Sequence, residues 1–316
     1  MTALKLPTDR RIFIAGHKGM VGSAIERLFL NMGYRNLLLA DRATLDLQDQ
    51  AAVNRFLADN RPDCVILAAA KVGGIQANIR NPASFLYENL VIQNNVINGS
   101  LLNGVKQFVF LGSSCIYPKS CPQPMKEEYL LTGPLEPTNE GYALAKIAGL
   151  KLTQLYQQRG LKSINLMPCN LYGPNDSFDL ENSHVLSALV KRFVDATIEN
   201  KSELVLWGSG RARREFMHVD DLARAILHFL NRPQQIDILN VGWGSDISIK
   251  ELALMIAAKT GFGGKILWDE SKPNGMLRKC MDVTRMNQAG FFPTIDLETG
   301  ITQMISLYKS ITQHTA

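Results

Sequence analysis

The stretch "RIFIAGHKGMVGSAIERLF", Arg11 to Phe29, decides the fold. A short apolar run ends in glycine, and beyond it Val21, Ala24, Ile25, Leu28 and Phe29 recur at helical spacing. The pattern is a buried strand, a glycine-rich turn and an amphipathic helix. Gly16, Gly19 and Gly22 fall in the turn and at the helix opening. Glycine there lets the backbone approach a pyrophosphate, whose charge is met by free N–H groups around Met20 and Val21 at the helix N-terminus. A glycine triplet alone marks many ordinary turns; between a strand and a helix it marks a dinucleotide site.

Outward from this unit, "NLLLAD", "DCVILAAA" and "QFVFLGSS" repeat the short buried-strand pattern, each separated by enough chain for a crossover helix. The expected fold is α/β, a Rossmann-like doubly wound parallel sheet. Beyond about residue 170 the order loosens. "NLYGPNDSF" reads as loop, "ELVLWGSG" as strand and turn, and "SALVKRFVDATIEN", "VDDLARAILHFLNRP", "SIKELALMIAAKTG" and "TGITQMISLYKSI" as helices. Residues 1–170 are expected to form the dinucleotide domain, with later segments returning to it, and residues 171–316 mainly a smaller mixed α/β substrate lobe.

Composition limits the function classes. The 316 residues are 46% hydrophobic and 20% charged, as in a globular protein of one large or two smaller domains. No run of about eighteen apolar residues is present, and "MTALKLPTDRR" lacks a signal-peptide core, so a cytoplasmic protein without a membrane partner is expected. Cys64, Cys115, Cys121, Cys169 and Cys280 show neither disulfide-framework nor zinc spacing, so no metal is expected. The net charge of +5 is mild and dispersed, which argues against a nucleic-acid partner. One cluster, Arg211, Arg213 and Arg214 in "GSGRARREF", is an anion-site candidate, although charge alone favours a solvated loop.

The cofactor cues conflict. Asp41 ends the second strand, where an acid would bond a ribose 2′-hydroxyl, but Arg42 follows it and Lys18 lies in the glycine loop. A carboxylate repels a 2′-phosphate and two cations hold it, so NADP(H) is expected and NAD(H) stays open. Asp46 and Leu47 in "LDL" are candidates to border the adenine. Ala68, Ala69 and Ala70 are small enough for ribose and pyrophosphate to approach, and equally suit a tightly packed strand end. Asn170, ending the strand before "LYGP", is a candidate to border nicotinamide or sugar.

"EGYALAKIAG" sets Tyr142 and Lys146 four apart at a helix start, hence on one face. An ammonium near a phenol favours the phenolate, so the tyrosine could exchange a proton near neutral pH. Chance YxxxK pairs are common on exposed helices. Here the pair follows a glycine loop and the serine-bearing strand end "FLGSSCIYPKS", where Ser113 supplies another polar group.

Together Ser113, Tyr142 and Lys146 resemble the catalytic set of the extended short-chain dehydrogenase/reductase family, whose members mostly act on nucleotide sugars. "LYGP" and "REFMHVDDLARAI" fit the same group. More narrowly, "GHKGMVGSA", "AAAKVGGI", "LGSSCIYPK", "PTNEGYALAK", "NLYGPND" and "NSHV" resemble its members that epimerise and reduce GDP-4-keto-6-deoxy sugars. In such a sugar C3–H and C5–H are both alpha to the carbonyl, so inversion needs an acid and a base. The resemblance assigns these roles to Cys115 and His184, with Tyr142 the proton donor in C4 reduction and Lys146 a ribose contact. It further implies substrate contacts at Ser114, Arg192, Trp207, Arg214 and Lys279, and a homodimer joined through helices that include the one carrying Tyr142.

Read alone, Cys115 suits a small buried filler and His184 a surface loop. The Ser/Tyr/Lys set around them favours chemistry. A close rival substrate is GDP-4-keto-3,6-dideoxy-D-mannose, which needs inversion only at C5. A UDP-hexose 4-epimerase has no use for the Cys/His couple, a 4,6-dehydratase needs a carboxylate where cysteine stands, and a non-catalytic nucleotide sensor has little reason to keep the whole set.

Overall fold

The computed structural model describes residues 7–180, 183–232, 236–272 and 275–313. Six parallel strands form its main sheet, in the spatial order Leu37–Leu38, Ile12–Ala15, Cys64–Leu67, Gln107–Leu111, Lys162–Pro168 and Ile236–Val241. The order reverses beside Ile12–Ala15. The chain leaves that strand to one side for Leu37–Leu38 and then crosses to Cys64–Leu67 on the other, opening a crevice at the carboxyl ends where ligands of such sheets bind. The four residues of Ile12–Ala15 are all buried, as helices on both faces demand.

Glycine shapes the first crossover. Gly16 has φ +92°, and a Cβ there would stand 2.7 Å from the Ala69 backbone. A Cβ on Gly22 would stand 2.1 Å from the Gly16 carbonyl oxygen. Gly16 thus lets the turn press on the segment after the third strand and Gly22 lets the helix press on the turn, and helix Met20–Asn31 starts behind Gly19 with no side chain capping its first N–H groups.

Helix Pro82–Leu102 packs on helix Glu140–Gln157, which carries Tyr142 and Lys146. Gly149 makes this approach possible, since a Cβ there would lie 2.6 Å from Gln93 Oε1. Gln93 in turn donates to the Ala145 carbonyl at 2.5 Å, fixing the helix that presents the candidate catalytic pair.

The main hydrophobic cluster covers both sheet faces and includes helix Val219–Leu230, which packs on Met20–Asn31. A second cluster joins helices Val185–Ile198, Ile249–Thr260 and Leu297–Gln313 around Phe193, Ile256 and Met304. Small sheets accompany it: Arg213–Arg214 lies between Ile247–Ser248 and Arg278–Lys279. "NLYGPNDSF", expected as loop, begins with strand Asn170–Tyr172, paired in parallel with Phe216–His218. That pairing spans a long sequence separation and leaves no local pattern. "NLLLAD" supplies only the two strand residues Leu37 and Leu38. Among the described residues no helix is long and apolar enough to cross a membrane, and no group of three His, Cys, Asp or Glu could hold a metal.

Candidate active site

A cleft of about 720 Å³ runs along the carboxyl ends of the sheet. One end holds the dinucleotide candidates: Gly16, Lys18, Gly19, Met20, Val21, Asp41, Arg42, Asp46, Leu47, Ala68, Ala69 and Ala70 all line it. A Cβ on Gly19 would meet only the Gly16 oxygen, at 3.5 Å, so the missing side chain leaves space in front of the helix N-terminus. This cradle fits a pyrophosphate. Gly22 does not line the cleft; it is glycine because the Gly16 carbonyl occupies the place of its side chain.

Asp41 is already engaged. Lys18 Nζ donates to its Oδ2 at 2.6 Å, and Oδ1 accepts from Ala43 N at 3.1 Å and Thr44 N at 3.0 Å. The Lys18 hydrogen bond, followed by those from Thr44, holds the carboxyl far below the usual carboxylate range. The acid that suggested a 2′-hydroxyl partner is instead paired with one cation and caps the turn carrying another, the exposed Arg42. These residues fit a dinucleotide bearing a 2′-phosphate.

At the other end, Ser113, Ser114, Cys115, Tyr142, Lys146, Asn170, His184 and Lys279 line the same cleft. The strand Gln107–Leu111 ends at Gly112, and Ser113 caps the single turn Ser114–Ile116, its Oγ accepting from Cys115 N at 3.2 Å. That turn aims the thiol into the cleft. Asn139 Nδ2 donates to Cys115 Sγ at 3.1 Å and Lys279 Nζ at 3.2 Å. Burial pushes the thiol up, but the Lys279 charge and the hydrogen bonds from Ser113, Lys279 and Asn139 outweigh it, leaving Cys115 below its ordinary value. Cys64 and Cys280 are each pushed up to about 12, burial leading, and Cys169 well above its ordinary value; these thiols stay protonated.

Lys146 Nζ donates to the Leu111 carbonyl at 2.9 Å and lies 5.7 Å from the Tyr142 ring centre, and burial lowers it to about 8. The expected shift of Tyr142 toward phenolate does not occur. Burial and then the neighbouring Cys115 raise its pKa, and a hydrogen bond with Ser113 offsets only part of this. Tyr142 is therefore a protonated donor at neutral pH. His184 stands at the N-cap position of helix Val185–Ile198 on the cleft wall, its ring making no cap hydrogen bond, and Asn170 is fixed by donating to the Glu215 carbonyl at 2.8 Å.

Three substrate candidates lie off this wall. Arg192 donates to the Val205 carbonyl. Trp207 is half exposed, with Lys272 Nζ 5.9 Å from its ring centre. Arg214 donates to the Arg213 and Met276 carbonyls and borders a neighbouring cleft of about 460 Å³. Arg213 and Arg278 both pair with Asp246, so Arg213 is a structural cation rather than a free surface one. Lys279, implied by resemblance as a substrate contact, lines the cleft and also donates to the Cys115 sulfur. Asn139 was missed; within "PTNEGY" nothing marks it as a thiol partner. Residues 181 and 182, in the loop before His184, lie outside the described residues.

The chain belongs to the NAD dependent epimerase/dehydratase family, whose profile matches residues 12–242. Within it, the chain is 50% identical over 299 residues to GDP-L-fucose synthase 1 of Arabidopsis thaliana, covering 94% of this chain and 93% of that one. It is 50% identical over 304 residues to GDP-L-fucose synthase of Escherichia coli (strain K12), covering 93% and 95%. To GDP-L-colitose synthase of Yersinia pseudotuberculosis it is 40% identical over 299 residues, covering 93% and 96%. The crystal structure of a GDP-L-fucose synthetase from Naegleria fowleri bound to NADP superposes with a TM-score of 0.88 at 26% identity, over 98% of this chain and 97% of that one.

Proposed function

We propose that this chain is a bifunctional 3,5-epimerase and NADPH-dependent 4-reductase that converts GDP-4-keto-6-deoxy-D-mannose to GDP-L-fucose. The observation that carries the reading is the Cys115 thiol, held by Lys279 and Asn139 in one cleft with Ser113, Tyr142, Lys146 and His184. Cys115, as thiolate, takes the proton from the carbon alpha to the C4 carbonyl. The charge that develops on the C4 oxygen is met by the hydroxyls of Ser113 and Tyr142. His184 returns a proton to the opposite face. In the reduction Tyr142 gives its proton to the C4 oxygen, and Lys146, oriented by the Leu111 carbonyl, would hold the nicotinamide ribose. NADPH, when bound, supplies the hydride for C4. The Cys115 and His184 couple is what separates this reading from a simple reductase.

The protein acts as a cytoplasmic homodimer. Supporting this, exposed Leu144, Ala148 and Leu155 recur at helical spacing on Glu140–Gln157, and exposed Tyr87 and Leu102 lie on the adjoining helix Pro82–Leu102. Isotope exchange tests the chemistry. In heavy water without NADPH, the wild-type protein should place deuterium at both C3 and C5 of GDP-4-keto-6-deoxy-D-mannose, and Cys115→Ser should place it at neither. Wild-type exchange at neither carbon would sink the epimerase reading. Exchange at C5 alone would point to the 3,6-dideoxy substrate.

A further inference from the structure

Glu215 has no solvent exposure and forms no ion pair among the described residues. Its Oε1 accepts from Gly244 N at 2.7 Å and its Oε2 from Met281 N at 2.8 Å; Trp243 supplies a further backbone hydrogen bond. A Cβ on Gly242 would stand 2.2 Å from Oε1, so the adjoining turn is shaped around this carboxylate. Burying such a group is costly unless it is fully hydrogen-bonded, and here the donors come from two separate segments. One is the turn that follows strand Ile236–Val241. The other is the continuation of strand Arg278–Lys279, which brings Lys279 to Cys115.

The backbone of Glu215 holds the same strand, its N–H donating to the Lys279 carbonyl at 3.2 Å. On the opposite side, Met125 N donates to the Cys280 carbonyl at 2.8 Å and Cys280 N to Gln123 Oε1 at 2.9 Å. The cysteine arm is tied to the same end of the sheet. Tyr117, two residues past Cys115, donates to Asn240 Oδ1 at 2.5 Å, and Asn240 is wholly buried in strand Ile236–Val241. Both sides of the ammonium–sulfur contact are therefore registered to one strand end: Cys115 through Tyr117 and Asn240, Lys279 through Met281 and Glu215.

We propose that Glu215 is a positioning residue for epimerisation, its buried carboxyl group fixing the strand that holds the Lys279 ammonium against the Cys115 sulfur. The inference rests on the reading of Cys115 as the base and adds to it the element that keeps Lys279 in place to favour the thiolate. The Glu215 side chain does not line the cleft or touch the thiol; its carboxyl reaches the site through the strand that carries Lys279.

The test reads the thiolate without any sugar. Full-length protein is treated with iodoacetamide at neutral pH, and alkylation of the Cys115 peptide is followed by mass spectrometry; NADPH binding by fluorescence reports the fold. Glu215→Gln keeps the shape but leaves one backbone N–H facing an amide N–H, and alkylation should slow about 10-fold, one pKa unit in thiolate fraction. Lys279→Met should slow it at least as much, and the double variant should match Lys279→Met alone, because one residue acts through the other. Glu215→Gln alkylating at the wild-type rate, or adding its full loss to that of Lys279→Met, would overturn the proposal. Should Glu215→Gln fail to bind NADPH, Gly242→Ala presses a methyl on the same oxygen and should give the same slowing; a wild-type rate there overturns it equally. A protein that alkylates as expected yet exchanges no deuterium would contradict the function and leave the positioning intact.

Discussion

Replacing Lys279 by methionine removes one ammonium from 3.2 Å of the Cys115 sulfur and keeps the aliphatic stem that fills the strand edge. Burial opposes the thiolate, so the charge of Lys279 and three hydrogen bonds decide the balance. A hydrogen bond to a charged group is worth about 1.5–3 kcal/mol net. At about 1.4 kcal/mol per factor of ten, its loss moves the balance from thiolate toward thiol. The thiolate fraction at neutral pH then falls about 10- to 100-fold, and proton abstraction with it. Deuterium incorporation at C3 and C5 should drop by that factor, and the drop should shrink as pH is raised and the thiol ionises without help. NADPH affinity should not change, because Lys279 lies at the sugar end of the cleft. Exchange at the wild-type rate, or a loss that does not recover with pH, would refute the electrostatic account of Cys115.

Other perturbations separate the two half-reactions and the fold. Tyr142→Phe should abolish NADPH oxidation while C3 and C5 exchange persists with Ser113 still facing the carbonyl oxygen; unimpaired turnover would contradict the assigned donor. Gly22→Ala forces a methyl to within 2.1 Å of the Gly16 carbonyl, an overpacking cost of about 1–3 kcal/mol that should appear as weaker NADPH binding in a fluorescence titration. Glu215, raised to about 7 chiefly by burial, makes a signed pH prediction. Between its ordinary 4.5 and about 7 the folded state keeps a proton that the unfolded chain has released, so this group's stabilising contribution is full below that window and is lost as pH rises through it. Glu215→Gln should remove up to about 3 kcal/mol of that slope in urea titrations run across the window; an unchanged slope would place the carboxyl's pKa elsewhere.

The parts legible in the sequence are those written locally. Strand, turn and helix from Arg11 to Phe29 follow from periodicity and three glycines, and the Tyr142 and Lys146 pair from helical spacing. Cys115 was visible beside its serines because the strand end and the turn are contiguous. What sequence reasoning missed is set by distant pairings. Lys279 reaches Cys115 across 164 residues through a two-residue strand, too short to show a period. Strand Asn170–Tyr172 exists because Phe216–His218 lies beside it, and its own residues look like a turn. Asp41 was ambiguous because its partner Lys18 sits on another element, and only their 2.6 Å contact shows that the carboxylate is taken. Tyr142 was expected to lean toward phenolate because spacing gives proximity to Lys146, whereas burial, which decides its protonation, is a property of the folded cleft.

The central claim is that one cleft inverts and then reduces a GDP-linked 4-keto sugar, and the most direct test follows NADPH oxidation with GDP-4-keto-6-deoxy-D-mannose, with NADH in parallel and NMR of the product. NADPH should be oxidised rapidly, NADH more slowly, and the product should be GDP-L-fucose. A product reduced at C4 without inversion at C3 and C5, or no oxidation of either cofactor, would contradict that claim.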